Sequence, residues 1–328
     1  MIKISLLCFG LAIAWLIYFA NSGIHLKTET ESFDIEAGSR FRGVTRQLVQ
    51  QNIIQDPVSF EMLARSIGVA SDVKAGIYEV KSGITPLELL DMMTSGASTQ
   101  ASITFIEGWT FAQMREELNT SEKVKHMAMS ETDQQILKEI GATETMPEGL
   151  FFPDTYFFSP NTSDRDILKR SYSTMQGKLK SAWIGKSEGL PYKTPYEALI
   201  MASIVEKETG SASERSQIAG VFINRLKIGM RLQTDPTVIY GLGERFDGNI
   251  HKKDLVNDTA YNTYTRDGLP PTPIAMPGLG AINAVLHPAQ TKALYFVGKG
   301  DGTHHFSASL AEHNNAVIKY QLGGKRAR

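Results

Sequence analysis

With one cysteine in 328 residues, Cys8, the chain has no second thiol for a disulfide and no means of building a cysteine-rich zinc site. Cys8 sits inside an apolar run without the small residues before it that a lipoprotein signal needs, which argues against a lipid anchor. A basic excess is missing as well. Thirty-four Lys and Arg against 35 Asp and Glu leave a formal charge of −1. That balance argues against a nucleic-acid partner and fits a neutral polymer or a small substrate. There is no GxSxG elbow, no Walker loop and no GxGxxG after a strand, so hydrolase-elbow, nucleotide and dinucleotide chemistry have no support. His304, His305 and His313 match neither HExxH nor a Cys/His zinc spacing, so no metal site and no cofactor is expected.

What is present is enough apolar material, 42% of residues, for a sizeable core, in a chain longer than one ordinary domain needs. Two or more globular units are expected. The run ISLLCFGLAIAWLIYFA at residues 4–20 carries no charge, with Lys3 before it and Lys27 after it. Its 17 residues rise about 25 Å as a helix, near the lower limit for crossing a bilayer. A cleavable signal peptide is the competing reading, because Ala20-Asn21-Ser22 loosely resembles a small-x-small cleavage site. The minimal charged n-region and the length of the run favour an uncleaved transmembrane anchor over residues 1–21. Under either reading the remainder is exported.

Beyond the anchor, FDIEAGSRFRGVTRQLVQQNII reads as a strand, a turn at Gly38-Ser39 and an amphipathic helix. The grammar returns in AGIYEVKSGITPLELLDMMTSG: an alternating strand over residues 77–80, Gly83 as a break, Thr85 as N-cap and Pro86 at the first helical position. A third strand, Gly108, a Thr110 cap and another helix follow in ITFIEGWTFAQMREELN. These echoes are too few and uneven for a solenoid. The fold class implied is α+β, with a small α+β module over residues 31–98, a connecting α+β segment over 99–147 and a larger mixed α+β domain over 148–322. Residues 119–147 are polar with a helical pattern. EGLFFPDTYFFSP places six aromatic or leucine side chains around Pro153-Asp154, a rigid turn under a hydrophobic cluster. LKRSYSTMQGKLKSAW, EALIMASIVEKE and SERSQIAGVFINRLKIG are expected as helices. DGLPPTPIAMPGLG must be irregular, LYFVGKGDGTHHFSAS suggests a hairpin, and residues 323–328 are expected to be a disordered tail.

The most informative segment is EALIMASIVEKETG, apolar over residues 198–205 and ending in Glu206 and Glu208 before Gly210. Carboxylates in the last turn of a helix oppose the negative end of its dipole, and burial also disfavours their charged form. A raised pKa is what a general acid for glycosidic cleavage needs. By helical spacing Glu208 sits over Ile204, Val205 and Met201, whereas Glu206 sits over the smaller Ala202 and Ser203. Glu208 is therefore the leading candidate and Glu206 the runner-up. The plain alternative, open on periodicity alone, is that both face solvent and pair with Lys207 or Arg215.

LIMASIVEKETG, SERSQIAGVFINRLKIGMRLQTDPTVIYGLG, AYNTYT, GLPPTPIAMPG, HPA and YFVGKGDGTHHF together resemble the YceG-like endolytic murein transglycosylases, the MltG family. The resemblance covers the chain from the anchor to the hairpin near its end. It implies a single-pass protein of the inner membrane with its C-terminal domain in the periplasm, a LysM-like module near the N-terminus and a catalytic domain whose acid is a glutamate. That glutamate matches Glu208, in a Glu-Thr pair with Thr209. The implied reaction cleaves the MurNAc–GlcNAc β-1,4 bond within glycan strands and leaves 1,6-anhydroMurNAc ends, with Glu208 as general acid and then base. The implied partners are peptidoglycan strands and glycan-polymerising synthases.

Substrate-binding candidates in the matching block are more varied. Gln233, Thr234 and Asp235 precede Pro236 in a turn that could present side chains to a cleft, although a self-capping turn also explains Asp235. Tyr261, Asn262 and Tyr264 offer rings and an amide of the kind sugars meet, or an edge strand with core tyrosines. Asn224, on an otherwise apolar helix face, either contacts substrate or ties down a loop. The alternative to catalysis is a non-catalytic peptidoglycan-binding scaffold for cell-wall synthases. A peptide-cleaving wall enzyme has no cysteine or metal signature beneath it.

Overall fold

The computed structural model describes residues 2–35, 39–74, 76–95, 101–158 and 162–323, with the side chains of residues 2–9 and 34 outside the description. The chain divides into two compact units, one of residues 1–102 and 157–162, the other of residues 103–156 and 163–328.

The first unit holds α1 (Ile2–Asn21), β1 (Thr30–Ile35), α2 (Phe41–Gln50), α3 (Pro57–Ser66), β2 (Gly76–Lys81) and α4 (Pro86–Ser95). β1 and β2 pair antiparallel, with Phe33 opposite Tyr78. Alternation along β2 sends Tyr78 and Val80 inward, where Tyr78 stacks on Phe33 with ring centroids 5.4 Å apart. Leu48, Phe60, Leu89 and Met93 close the core from the helices. Thr85 and Pro86 start α4 as expected: the Thr85 hydroxyl accepts from Glu88 N–H at 3.2 Å and the Glu88 carboxylate accepts from Thr85 N–H at 2.9 Å. α3 was not foreseen, although its signal is local. Asp56 accepts from the Val58 and Ser59 N–H groups, both at 3.1 Å, and Pro57 occupies the first turn. On α1, Ala20 is buried in this core and Trp15 Nε1 donates to Ser59 Oγ at 3.2 Å. Among the described residues no helix is long and apolar enough to cross a membrane. The anchor expected over residues 1–21 falls partly outside them, as do the turn residue Gly38 and residues 324–328 of the tail.

β3 (Ala101–Thr104) and β4 (Thr155–Phe158) form a two-stranded sheet. The second unit holds α5 (Phe111–Thr120), α6 (Asp133–Ile140), α7 (Asp164–Ile184), α8 (Pro195–Glu208), α9 (Arg215–Lys227), α10 (Asp235–Leu242), α11 (Lys252–Val256), α12 (Leu279–Leu286), β5 (Tyr295–Gly298), β6 (His304–Ser307) and α13 (Leu310–Tyr320). α5, α6 and α13 each begin with a full capping box, Thr110/Gln113, Thr132/Gln135 and Ser309/Glu312. The helical pattern expected over 119–147 narrows to α6. The chain before it is held as a loop by the buried Asp164 carboxylate, which accepts from the N–H groups of Met127 and Ala128 at 3.0 and 2.9 Å. The aromatic cluster forms as expected: Phe151 and Phe152 are buried, and Phe151 stacks on Phe111 at 5.0 Å.

α8 is the axis of the second unit. Thr194 caps it, Pro195 opens it, and every residue from Ala198 to Val205 is buried among α7, α9, α10 and α12. The proline-rich stretch is irregular, and its backbone is sewn onto α8 and the chain before α5. Ile274 N–H donates to Ser203 Oγ at 2.9 Å, Gly278 N–H donates to Glu206 at 3.0 Å, Gly108 N–H donates to Met276 O at 2.8 Å, and Met276 N–H donates to Trp109 O at 2.7 Å. This stitching fixes the end of α8, from which both candidate carboxylates project.

Candidate active site

Glu208 closes α8 and enters a cleft of about 520 Å³ bounded by α9, α10, the β5–β6 hairpin and α13. The cleft collects five of the residues singled out in the sequence: Glu208, Gln233, Thr234, Asp235 and Tyr264. Arg225, Tyr295, His304 and His313, which were not site candidates, are among the other residues that line it.

The environment of Glu208 divides into effects that protonate it and effects that ionise it. Half-buried, its carboxyl is pushed above the ordinary range, first by burial. The hydroxyl of Thr234 donates to Oε1 and works against that rise. The Asp235 charge raises Glu208 further, and His304 and Arg225 lower it. Thr234 occupies the N-cap position of α10 yet makes no side-chain cap bond, because its hydroxyl is committed to Glu208. The residue before it, Gln233, holds a left-handed backbone at φ 48°, uncommon away from glycine, and its N–H donates to Thr263 O at 3.1 Å. A local capping rule and a local backbone rule are thus both broken beside the same carboxylate, as happens where a site outweighs local preference.

Asp235 is not a free second acid, since the Tyr264 hydroxyl donates to its Oδ1 at 2.6 Å. Burial, and then that bond, push the Tyr264 phenol above its usual range. Arg225 is buried and structural in its contacts: Nε donates to Leu294 O at 2.7 Å and Nη1 to Leu232 O at 2.5 Å, which ties β5 to the loop before α10. Its guanidinium lies 5.4 Å from the Tyr295 ring centroid.

Glu206 has other duties. Its side chain is only 5% exposed, Oε2 accepts from Gly278 N–H, and Oε1 lies 3.3 Å from Arg215 Nη2, which also approaches Glu107 at 3.7 Å. Burial raises its pKa too, while the Gly278 N–H and Arg215 hold it back. It is not among the residues that line the cleft.

The remaining candidates tie down loops. Asn224 Nδ2 donates to Thr291 O at 2.8 Å and Ala293 O at 3.2 Å. The Asn262 amide, 1% exposed, donates to the carbonyls of Asp254, Leu255 and Asn257, and its Oδ1 accepts from Tyr264 N–H. Tyr261 bonds Thr272 Oγ1 at 2.8 Å and meets Tyr240 edge-on at 4.8 Å. The AYNTYT segment forms turns rather than an edge strand, because the Asn262 side chain takes the bonds a ladder would have made. Among the described residues no group of three histidine, cysteine or carboxylate side chains is arranged to hold a metal ion.

Two side-chain arrangements of the second unit escaped the sequence. One is the pairing of His304 with Glu214, Nδ1 to Oε2 at 2.8 Å, across 90 residues of chain. The other is buried Glu148, which accepts from Phe111 N–H and the Tyr240 hydroxyl, each at 3.0 Å. No spacing rule joins positions so far apart. The histidines were weighed only as metal ligands, a test that an acid-paired histidine does not meet.

The model of the YceG-like family matches residues 33–319. An endolytic murein transglycosylase of Bacillus subtilis strain 168 is 35% identical over 310 residues, covering 89% of this chain and 85% of the relative. One from Streptococcus pneumoniae serotype 2 is 26% identical over 320 residues, and the match spans 57% of its length. The crystal structure of a yceG-like protein from Listeria monocytogenes superposes with a TM-score of 0.55 at 28% identity, over 88% of this chain and 99% of that one.

Proposed function

This chain belongs to the YceG-like family and is a lytic transglycosylase acting on peptidoglycan, and we propose that it cuts glycan strands internally with Glu208 as its acid and base. The observation that carries the assignment of Glu208 is its placement: a carboxyl whose neutral form is favoured by burial, hydrogen-bonded by Thr234, at the wall of a cleft. In the first half-reaction neutral Glu208 gives its proton to the oxygen linking MurNAc to GlcNAc as that bond breaks, and positive charge develops at the anomeric carbon. In the second half the Glu208 carboxylate takes the proton of the muramoyl C6 hydroxyl while its oxygen bonds to the anomeric carbon. The ring closes as a 1,6-anhydro end, Glu208 is again neutral, and no water is consumed. One carboxyl serves both steps. This accords with a cleft whose other carboxylate, Asp235, is occupied by Tyr264.

The test is mass spectrometry of uncrosslinked glycan strands incubated with the full-length protein and with Glu208→Gln. Internal cuts bearing 1,6-anhydro ends, lost in the variant, are expected. Reducing-end muramic acid would make the enzyme a hydrolase, and intact strands with retained binding would make it a scaffold.

The charge-free run at residues 4–20 supports an uncleaved anchor in the cytoplasmic membrane with the second unit in the periplasm, close to glycan-polymerising synthases. Residues 31–98 of the first unit are assigned as the LysM-like module. Release of the protein by alkaline carbonate, or protection of residues 103–323 from protease added outside spheroplasts, would overturn this location. Crosslinking in membranes that recovers no synthase would remove the partner.

A further inference from the structure

The start of α10 is built so that the Thr234 hydroxyl has no helix to cap. Pro236, in the first turn, has no N–H to offer it. The next N–H, that of Thr237, donates to the Thr234 carbonyl at 3.3 Å. The hydroxyl turns instead to Oε1 of Glu208. A threonine hydroxyl rotates, so this bond has a defined direction only if the residue that carries it is held.

Three buried threonines hold it in a closed ring. Thr234 N–H donates to Thr263 Oγ1 at 3.1 Å, the Thr263 and Thr237 hydroxyl oxygens lie 2.9 Å apart, and the Thr237 hydroxyl donates to the Thr234 carbonyl at 2.8 Å. Each hydroxyl has one proton to give. That of Thr237 is committed to the carbonyl, so Thr263 is the donor between the two hydroxyls, and every bond of the ring runs one way. Thr234, Thr237 and Thr263 are 2%, 0% and 3% exposed, which keeps bulk water from competing for these bonds. The Thr263 carbonyl also accepts from Gln233 N–H at 3.1 Å and so grips the left-handed residue just before Thr234. The neighbouring Asn262 amide, tied to the carbonyls of Asp254, Leu255 and Asn257, gives the ring a fixed base.

We propose that Thr263 is a positioning residue for strand cleavage: through the ring it shares with Thr237, it holds residue 234 so that the Thr234 hydroxyl meets Oε1 of Glu208. The inference rests on the reading of Glu208 as the acid and base of the reaction. With Oε1 engaged as an acceptor, the proton of neutral Glu208 is confined to Oε2, the oxygen that gives it up and takes the next one. A carboxyl whose oxygens are told apart in this way keeps one orientation through both half-reactions. A rotating carboxyl would present its proton to the scissile oxygen in only part of its orientations.

The charged and titratable groups around Glu208 are the same in every variant of the test. They are Glu206 and Lys207 of α8, Arg225 of α9, Asp235 of α10, Tyr264, His304 of β6 and His313 of α13.

The experiment uses the full-length protein in detergent micelles as wild type, Thr263→Val, Thr263→Ser, Thr237→Val, Thr234→Val and the double variant T234V/T263V. Strand cleavage is followed against substrate concentration and pH, and the Glu208 carboxyl is titrated by carbon-13 NMR with its signal assigned through Glu208→Gln. T263V should lose roughly 10- to 100-fold in plateau rate with KM unchanged, and its Glu208 titration should move to higher pH, as in T234V. T263S, which keeps the hydroxyl, should return both to wild type. The double variant should be no slower than T234V, because two residues acting through one bond do not add. If T263V does not fold, T237V carries the test: it keeps the Thr234 N–H bond, opens the ring and should move rate and titration in the same directions. A T263V with the wild-type rate and titration, a T263S as slow as T263V, or a T263V change that slows T234V as much as it slows the wild type would overturn the proposal. Should the wild type leave strands intact, the catalytic reading of Glu208 falls, and the NMR titration alone still decides whether Thr263 governs the bond to that carboxyl.

Discussion

The hydroxyl of Thr234, which occupies the cap position of α10, donates to Oε1 of Glu208 at the end of α8 instead of capping its own helix. Two helix ends that meet head to tail thereby share one hydrogen bond, and the bond favours the carboxylate form of Glu208.

Thr234→Val keeps the shape and removes the donor. Glu208 then loses an interaction that lowers its pKa, so its pKa rises further and the alkaline limb of strand cleavage moves to higher pH. The general acid becomes weaker, and the plateau rate falls. Left with one bond fewer in a half-buried position, the carboxyl also costs about 1 kcal/mol of stability. A pH–rate profile with an unmoved limb would show that the contact is structural only.

Glu206 and Glu208 separate by kind of loss. Glu208→Gln removes the proton donor but leaves a side chain of the same shape, so cleavage falls by roughly 10²- to 10⁴-fold while the thermal midpoint holds or rises. Glu206→Gln strips Arg215 of the partner at 3.3 Å and leaves it Glu107 at 3.7 Å. The expected cost is about 1–3 kcal/mol of stability with a smaller effect on rate. Calorimetry beside initial rates reads both, and the reverse pattern would make Glu206 the acid.

What could be read from the sequence was local. Thr85 with Pro86, Thr110 with Gln113, and the apolar run from Ala198 to Val205 each declare an element within a few residues, and those elements are present. The TDPT segment reads as a turn because Asp and Pro are turn residues. Proline is equally at home in a helix's first turn, where its missing N–H has no partner to lose, and the segment opens α10. Gln233, Thr234 and Asp235 were legible as polar residues at a bend and Tyr264 as a ring of the kind sugars meet, and all four line the cleft. Asn224 and Asn262 look the same in sequence and are spent on backbone carbonyls, a distinction that only the fold makes. The Glu214–His304 pair depends on a hairpin returning to the start of α9, and no window of sequence contains both.

The face of α9 that carries Asn224 makes a further prediction. Ser216 O accepts from Ala289 N–H at 2.9 Å, and Asn224 reaches Thr291 O, so residues 289–293 run along a stripe of positions four apart with Gly220 between them. A Cβ at Gly220 would lie 2.6 Å from Ala289 O and 2.9 Å from Thr291 Cγ2. The first of these is backbone and cannot swing aside. Gly220→Ala should therefore cost about 1–3 kcal/mol by overpacking, measured as denaturant or thermal unfolding. Because Arg225 holds Leu294 O just beyond, the shift reaches β5 and the cleft, and strand cleavage should fall as well. An unchanged midpoint would mean that the 289–293 segment can yield.

Glu148 gives the protein a pH-dependent stability that is separable from catalysis. Its carboxyl, 5% exposed, bridges the first turn of α5 and the end of α10 through Phe111 N–H and the Tyr240 hydroxyl. Burial raises its pKa from 4.5 to about 7 despite those bonds, which pull the other way. A carboxyl raised in the folded state contributes stability that is whole below its unfolded pKa and is lost as pH rises through the folded value. The loss therefore runs from about pH 4.5 to about pH 7 and amounts to ~3 kcal/mol at 1.36 kcal/mol per unit. Glu148→Gln can still accept from Phe111 N–H and bond Tyr240, and it has no proton to lose. Unfolding midpoints measured at about pH 5 and about pH 8 should fall for the wild type and change less for the variant. Parallel curves would show that Glu148 remains in one protonation state across that range, and the linkage would then have to lie with another group.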